Sequence, residues 1–181
     1  MHIFKIMNIY DTIFATDESY NGPISYKLEI VLEWINKNGF KEILDVGCGR
    51  GHYLKLLSKN GIKVTGLEPS KYIAGTLKDY EVINDDILGQ AAKGRHWEAI
   101  ICMDVLEHIE PSEIEDTLKA LSTLSDHALV GIANHSDRWH GVQLHLIQKD
   151  SVWWESLLMR YYKNLVSVYQ SKRFFVFKVH R

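Results

Sequence analysis

Cysteine and proline are scarce in this sequence, and long apolar runs are missing. The two cysteines, Cys48 and Cys102, cannot build the disulfide framework of a small secreted domain, and they fit free thiols in a reducing compartment. No stretch of about 18 apolar residues occurs, so no membrane-spanning helix is expected. The first residues lack the long apolar core and small-residue cleavage site of a signal peptide. Together these absences predict a cytoplasmic protein.

The chain also lacks a strong charge of either sign. Its formal net charge is -2 at pH 7, so no global basic field indicates a nucleic-acid or membrane partner, although a local basic groove is compatible with this value. A composition of 46% hydrophobic and 24% charged residues over 181 positions is typical of a globular protein with a substantial core. We therefore predict a single domain over residues 1–181.

The most informative segment is a glycine-rich turn that follows a short apolar run. Residues 43–46 predict a buried strand with Asp45 near its end, and residues 47–51 alternate glycine with Cys48 and Arg50. Apolar residues at 53–57 predict a following helix. Such glycines allow a sharp turn and a close approach of a ligand, to which the helix N-terminus offers unpaired N–H groups.

The glycine spacing argues against two common phosphate-binding patterns. Dinucleotide sites use G-x-G-x-x-G, whereas here the sixth position is His52 and the spacing is G-x-G-x-G. No G-x-x-x-x-G-K-[ST] loop is present either. The segment therefore indicates a ligand with an adenosine-like half and no pyrophosphate. The alternative is a plain strand-to-helix turn, which needs only one or two glycines.

Strand and helix patterns alternate along the rest of the chain. Strands are predicted at 41–46, 62–67, 81–83, 97–103 and 127–133, helices at 23–38, 52–60, 70–77, 111–124 and 150–158, and a final hairpin at 165–170 and 173–179. This order predicts an α/β fold, with a Rossmann-like, doubly wound, mostly parallel seven-stranded sheet, helices on both faces and a C-terminal antiparallel hairpin.

Two segments outside these elements are candidates for covering a site. Residues 1–22 are expected to be irregular and carry Phe4, Tyr10, Phe14 and Tyr20, which suits either a lid or a packed N-terminal arm. The polar, histidine-rich segment 134–148 follows the fifth strand and is predicted to be a substrate-side loop.

Four acidic residues fall at or just after the ends of predicted strands, at Asp45, Glu68, Asp86 and Asp104. In a parallel sheet the carboxyl ends of the strands share one edge, where ligands bind. A single acid of this kind would be explained as a helix cap, but four on one edge indicate a binding site.

These segments together resemble class I S-adenosylmethionine-dependent methyltransferases. Residues 45–51 look like motif I of that family, and Glu68 resembles its ribose-binding acid. Residues 86–87 resemble its adenine-binding acid and apolar neighbour, and residues 104–108 resemble the segment after its fourth strand. The resemblance covers about residues 24–133.

The resemblance implies S-adenosylmethionine as cofactor and S-adenosylhomocysteine as product. It implies a cofactor site formed by Asp45, Gly47, Cys48, Gly49, Tyr53, Glu68, Pro69, Asp86, Ile87, Met103 and Asp104. A carboxylate can accept both ribose hydroxyl protons, and an acid-rich strand edge favours the positively charged sulfonium over its neutral product.

The catalytic candidates are Glu107, His108 and His145. His108 follows the fourth strand and has a side chain whose ordinary pKa suits a general base, although it would equally serve to hydrogen-bond the next loop. Asp104, Glu107 and His108 with one loop histidine would also suit Mg²⁺ or Mn²⁺. The loop histidines are His135, His140 and His145.

This arrangement is similar to the E-x-x-E-H segment of small-RNA 3′-terminal 2′-O-methyltransferases and some ubiquinone-pathway O-methyltransferases, except that the first acid is Asp104. The metal-free interpretation is favoured. The expected function is methyl transfer to a small-molecule, sugar or lipid-linked acceptor, with O-methylation favoured.

The alternatives are a metal-assisted RNA or quinol O-methyltransferase and a non-catalytic S-adenosylmethionine-binding partner subunit. A nucleic-acid acceptor is not favoured, and the expected state is a monomer or homodimer.

Overall fold

A computed structural model describes the chain from residue 3 to residue 181, with side chains from residue 9 onward. The helices are α1 (Ile3–Thr16), α2 (Ser25–Asn38), α3 (His52–Lys59), α4 (Lys71–Thr76), α5 (Ile87–Ala92), α6 (Ile114–Leu124) and α7 (Ser151–Leu158). The strands are β1 (Glu42–Val46), β2 (Lys63–Leu67), β3 (Glu81–Ile83), β4 (Ala99–Met103), β5 (His127–Ala133), β6 (Arg138–Trp139), β7 (Val142–Gln143), β8 (Asn164–Gln170) and β9 (Phe174–His180).

Seven of these strands form one sheet in the order β3-β2-β1-β4-β5-β9-β8. The pairs β1–β2, β2–β3 and β4–β5 are parallel, while β9 pairs antiparallel with both β5 and β8. This confirms the predicted mostly parallel sheet with a C-terminal antiparallel hairpin. No helix in the described part of the chain is long and apolar enough to cross a membrane.

The fold divides into two compact units, one ending at Asp86 and the other beginning at Ile87. In the first unit, β1 is buried from Ile43 to Val46, and its register places Asp45 opposite Gly66 of β2. Ser70 caps α4 by accepting a hydrogen bond from the Ile73 N–H, as the predicted helix start requires. The prediction of a single domain over residues 1–181 stays a prediction.

In the second unit, every residue of β4 is buried, which explains its almost wholly apolar sequence. Helix α6 buries Ile114, Leu118, Leu121 and Leu124, the face that its spacing predicts. Asp150 caps α7 by accepting a hydrogen bond from the Trp153 N–H, at the predicted start of this helix.

The prediction that residues 1–22 are irregular was wrong, because residues Ile3–Thr16 form α1. Apolar residues at positions 3, 6, 7, 10, 13 and 14 have helical spacing, so the sequence already carried this signal. Ile13 and Phe14 are buried, which favours the packed-arm alternative over the lid. The side chain of Phe4 lies outside the described residues.

Smaller corrections concern helix boundaries and the loop after β5. Pro111 does not occupy the first turn of α6, which begins at Ile114 after a turn. Helix α2 starts at Ser25, two residues after the predicted start, and buries Trp34, while Ile24 is exposed. Segment 134–148 contains the small β6–β7 hairpin, and the short helix α5 was missed.

Candidate functional site

The glycine turn between β1 and α3 is held by main-chain contacts to β2. The N–H groups of Gly47 and Cys48 donate to the Leu67 carbonyl, at 2.8 and 3.3 Å. Gly49 adopts φ 48°, and a Cβ there would lie 2.1 Å from Nδ2 of Asn21. A larger residue at this position would therefore be strained and would clash, which explains the second glycine.

Glu68, directly after β2, is buried against this turn. Its Oε2 accepts a hydrogen bond from the Gly49 N–H and its Oε1 accepts one from the Ser70 N–H, both at 2.9 Å. Burial raises the pKa of Glu68, and the two backbone donors act in the opposite direction. The carboxylate is thus held in one orientation, and each oxygen keeps a second lone pair for a ligand hydroxyl.

Asp45 lies in β1 and is also buried, with 1% of its surface exposed. Its Oδ2 accepts no hydrogen bond from any described residue. Burial, and secondly the charge of Glu68, hold the pKa of Asp45 well above its usual range. A buried carboxylate in this state is stabilised by a cationic ligand group.

Cys48 fills the space beside these acids. A Cβ on Gly66 would lie 2.7 Å from Cys48 Sγ, so the thiol packs closely on β2. Burial and the neighbouring carboxylates Asp45 and Glu68 raise the pKa of the Cys48 thiol. Cys48 is therefore an inert packing group of the turn, since only a thiolate is a good nucleophile.

Other predicted cofactor residues lie around the strand ends of the first unit. Asn84 Nδ2 donates to the carbonyls of Glu68 and Pro69, at 2.8 and 3.1 Å, and so connects the end of β3 to the end of β2. Asp86 and Tyr53 are half-buried, and Asp86 follows β3 as predicted. Ile87 begins the second unit and is buried.

Sequence reasoning missed three residues of the N-terminal segment and its contacts. Asp11 of α1 accepts a hydrogen bond from Ser70 Oγ. Arg50 of the glycine turn donates to carbonyls of the arm, and the Asn21 side chain packs against Gly49. An arginine between two glycines was a visible signal, but its partners depend on the tertiary fold.

In the second unit, the end of β4 carries Met103 and Asp104. Met103 is buried and packs on β5, since a Cβ at Gly131 would lie 2.6 Å from Met103 Sδ. Asp104 is a non-glycine residue with φ 58°, and its N–H donates to the Gly131 carbonyl at 2.9 Å. Left-handed backbone at such a residue is uncommon and is often found at functional sites.

Glu107 is fully buried in a short 3-10 helix, Leu106–His108. Its Oε1 accepts a hydrogen bond from the Ala133 N–H at 2.7 Å, at the end of β5. Its main-chain carbonyl accepts from the N–H groups of Leu146 and Ile147. Glu107 therefore connects β5 to the histidine-containing loop and orients its own carboxylate.

His108 and His145 are held by backbone carbonyls. Nδ1 of His108 lies 3.0 Å from the Leu144 carbonyl oxygen, and Nδ1 of His145 lies 2.6 Å from that of His135. A carbonyl only accepts, so each Nδ1 carries the proton and each neutral ring has its lone pair on Nε2. This arrangement is typical of histidines that bind metals through Nε2.

Burial and neighbouring imidazoles lower the pKa values of both rings. Burial, and secondly His145, lower the pKa of His108 to about 3, while burial lowers the pKa of His145. The two rings meet edge to face, with centroids 4.7 Å apart. A ring with such a low pKa is a weak general base, which weighs against proton abstraction by His108 alone.

The structure brings the three catalytic candidates together. Ligand atoms of Glu107, His108 and His145 all lie within 4.8 Å of one another. His135 packs against His145 with ring centroids 4.8 Å apart, whereas exposed His140 packs against Trp139. One carboxylate and two imidazoles suit a transition metal such as Mn²⁺ better than Mg²⁺, which prefers oxygen ligands.

Comparison with known proteins identifies the family of the chain. The profile of the methyltransferase domain family matches residues 24–174. An ubiquinone biosynthesis O-methyltransferase of Vibrio campbellii is 31% identical over 122 residues, which cover 61% of this chain and 51% of that protein. An uncharacterized methyltransferase of Alkaliphilus oremlandii is 27% identical over 173 residues, covering 86% of this chain and 78% of the other.

The chain spans about half the length of the ubiquinone biosynthesis O-methyltransferases that it matches. Among solved structures, magnesium protoporphyrin IX methyltransferase from Synechocystis PCC 6803, crystallised with bound S-adenosylmethionine, superposes with a TM-score of 0.70. Its sequence is 16% identical, and the match covers 97% of each chain, which shows a shared fold. The chain belongs to the methyltransferase domain family and has the fold of class I S-adenosylmethionine-dependent methyltransferases.

Proposed function

We propose that the chain is an S-adenosylmethionine-dependent methyltransferase that releases S-adenosylhomocysteine. The observation that carries this proposal is the buried pair Asp45 and Glu68 beside the glycine turn, with raised pKa values. A cofactor with ribose hydroxyls, an ammonium group and a sulfonium supplies the donors and positive charge that these acids favour. The relatives and the crystallised neighbour support this assignment through their names.

In this proposal most of the cofactor residues lie in the first unit. Glu68 accepts from the ribose hydroxyls, since its two backbone donors leave a lone pair on each oxygen. Asp45 interacts with the ammonium of the methionine part, directly or through water. Asp86 and Ile87 contact the adenine, and Tyr53 and Pro69 line the same region. In the second unit, Met103 and Asp104 follow β4 and complete the set of proposed cofactor residues.

The methyl transfer is an in-line displacement at carbon. An acceptor oxygen attacks the methyl carbon, the carbon–sulfur bond breaks, and its electron pair stays on sulfur, which becomes neutral. Alignment of the three atoms supplies most of the acceleration. The acceptor proton must leave, and we assign this step to the cluster of Glu107, His108 and His145.

We favour O-methylation of a small-molecule, sugar or lipid-linked acceptor. The O-methyltransferase names of the matched relatives support transfer to oxygen. The net charge of -2 supports an acceptor other than a polynucleotide. Buried free thiols at Cys48 and Cys102 support a reducing, cytoplasmic location. We further propose that the protein works as a single domain, either monomeric or as a homodimer.

A second candidate is metal-assisted O-methylation, of a quinol or of RNA. The cluster of Glu107, His108 and His145 favours it, because both rings present Nε2 lone pairs. These three residues would hold the ion. A bound ion would lower the pKa of a coordinated acceptor hydroxyl, so that the hydroxyl loses its proton more readily. A histidine with a strongly lowered pKa is a poor base for removing the same proton.

Isothermal titration with S-adenosylmethionine and S-adenosylhomocysteine tests the cofactor assignment. We expect saturable binding and a thermal shift. The absence of heat and of any thermal shift at about millimolar ligand would rule out the assignment.

A methyl-transfer assay with labelled cofactor tests the acceptor class. The panel contains catechols and quinols, sugars, and short RNA with a free 3′ diol, each with and without Mn²⁺ or EDTA. Activity on a catechol that is unaffected by EDTA would support the metal-free mechanism. Activity that EDTA abolishes and Mn²⁺ restores would support the second candidate. Cofactor binding without transfer to any acceptor would favour a non-catalytic partner subunit.

A further inference from the structure

A chain of hydrogen bonds connects the N-terminal helix to the carboxylate of Glu68. Oδ1 of Asp11, in α1, accepts from Ser70 Oγ at 2.5 Å and from the Tyr72 N–H at 3.1 Å. The N–H of Ser70 in turn donates to Oε1 of Glu68 at 2.9 Å. Asp11 thereby positions the first of the two backbone donors that orient Glu68.

The second donor, the Gly49 N–H, lies next to Arg50, whose guanidinium binds the same arm. Arg50 Nε donates to the Tyr20 carbonyl at 2.9 Å, and Nη2 donates to the carbonyls of Phe14 and Asp17, at 3.2 and 2.7 Å. These carbonyls lie at and just beyond the C-terminal end of α1, where a positive charge is favourable.

Asn21 brings the arm onto the glycine turn itself. Its backbone adopts φ 58°, its Nδ2 occupies the space above Gly49, and its carbonyl lies 2.8 Å from Nε2 of His52. The arm therefore contacts the glycine turn through Asn21, and Arg50 of the turn binds the arm through its carbonyls. A left-handed asparagine is an uncommon conformation that the surrounding contacts must maintain.

We propose that Asp11 and Arg50 are positioning residues for the cofactor, and that the arm formed by residues 9–21 orders Glu68 and the glycine turn for binding. This inference rests on the proposed function. Neither residue is assigned a contact to the cofactor or to reacting atoms. Their effect reaches the cofactor through the Ser70 and Gly49 N–H groups, which hold both oxygens of Glu68.

The coupling is reciprocal, as any linkage between two equilibria must be. If the ordered arm strengthens cofactor binding, then bound cofactor stabilises the ordered arm by the same factor. Of the apolar side chains of residues 9–21, Ile13 and Phe14 are buried, and we expect the opening of this short arm to cost less than unfolding the sheet.

The first test measures S-adenosylhomocysteine affinity by calorimetry in the full chain. We expect Asp11→Ala and Arg50→Gln each to weaken binding about tenfold, the effect of losing one or two hydrogen bonds to a charged group. Asp11→Asn retains an acceptor oxygen and should restore most of the affinity. Glu18→Ala removes an exposed arm charge and is the matched control.

The second test is hydrogen exchange with and without S-adenosylhomocysteine. Binding should increase protection of amides in residues 9–16 of the wild-type protein, and this increase should shrink in Arg50→Gln. It needs no variant for its first comparison, so a misfolded variant would not leave the inference untested. Affinities are measured well below each variant's melting temperature, to separate positioning from general stability.

The outcomes distinguish the inference from the function on which it rests. If the wild-type protein binds no S-adenosylhomocysteine, the proposed function fails. If it binds, but Asp11→Ala and Arg50→Gln match Glu18→Ala in affinity, the inference is wrong and the function stands. Lower melting temperatures with unchanged affinity would likewise assign the arm a structural role only.

Discussion

Burial shifts the pKa values of titratable groups in opposite directions in the two compact units. In the first unit, burial raises the pKa of Asp45 and Glu68, whereas in the second it lowers the pKa of His108 and His145. The physical cause is the same, because burial disfavours whichever form is charged. A positive ligand would therefore favour the charged form of the acids, whereas burial favours the neutral form of the imidazoles.

This contrast suggests that the buried acids and the histidines have different roles. A cationic cofactor gains affinity from the acids, while neutral Nε2 lone pairs offer nothing to a sulfonium ligand beyond weak dipoles. Substitutions of the buried acids Asp45 and Glu68 should therefore change cofactor affinity, and substitutions of His108 and His145 should change turnover. The following predictions test that separation, beginning with the largest expected effect.

Replacing either clustered histidine should lower turnover most. We expect His108→Gln and His145→Gln to reduce kcat by roughly 10²–10⁴-fold, the usual contribution of a group that removes a proton or holds an ion. S-adenosylhomocysteine affinity should stay within about threefold of the wild type, below 1 kcal/mol. Steady-state assays and calorimetry measure the two quantities.

The matched control for these variants is His96→Gln, an exposed histidine in the same unit. It should leave both quantities unchanged. A large loss of cofactor affinity in the His108 or His145 variant would contradict the assignment of affinity to the buried acids and of turnover to the histidines.

Glu68→Ala should weaken S-adenosylhomocysteine binding about 100-fold, because each buried hydrogen bond to a carboxylate contributes roughly 1.5–3 kcal/mol. Calorimetric titration gives the change, with Glu29→Ala on the exposed face of α2 as control. Unchanged affinity would remove Glu68 from the site.

The lowered pKa of His108 predicts a pH-dependent cost to stability. Its folded pKa of about 3 lies below the ordinary 6.5, so between these values the unfolded chain binds the proton and stability falls as pH falls. Relative to His108→Gln, the wild type should lose roughly 1.5 kcal/mol of unfolding free energy between pH 6.5 and pH 5. Urea titrations at both pH values measure this difference. Equal pH dependence of the two proteins would show that the ring is accessible to protons.

Asp45→Asn should stabilise the ligand-free protein slightly while weakening cofactor binding. Because the folded pKa of Asp45 is raised, the wild type loses stability as pH rises above the ordinary carboxyl value, and asparagine does not titrate. We expect a gain of about 1 kcal/mol at pH 7 that disappears near pH 4. Thermal melts at the two pH values measure it. A destabilised variant at pH 7 would mean that the carboxylate is compensated within the protein.

The glycine turn and the buried acids could be predicted largely from the sequence, because they depend on residues that are close along the chain. The turn at 47–51 needs glycines at positive φ, and Glu68 follows a strand whose pattern is plain. The pairing of Asp45 with Gly66 then places both acids together. Each step uses neighbours along the chain or the general rule for parallel strands.

The contacts of the N-terminal arm could not be predicted in the same way. Asp11 and Ser70 are separated by 59 residues, and Arg50 and Phe14 by 36. No local pattern selects such partners. The helix α1 itself was predictable from its apolar spacing.

The histidine cluster lies between these cases. Glu107, His108 and His145 follow the predicted fourth and fifth strands, and the structure brings ligand atoms of all three within 4.8 Å of one another. What the sequence could not indicate was the donation of both Nδ1 atoms to carbonyls, which decides the tautomers. The backbone path of the loop, and the small β6–β7 hairpin within it, determine those contacts.

The hydrogen bonds of Arg50 end on main-chain carbonyls of Phe14, Asp17 and Tyr20, and every residue type has such a carbonyl. The hydrogen bonds of Arg50 therefore do not depend on which side chains the arm carries, provided that the backbone of the arm keeps its path. Exposed positions of the arm such as Glu18 should therefore tolerate substitution as long as the backbone of residues 14–20 keeps its path.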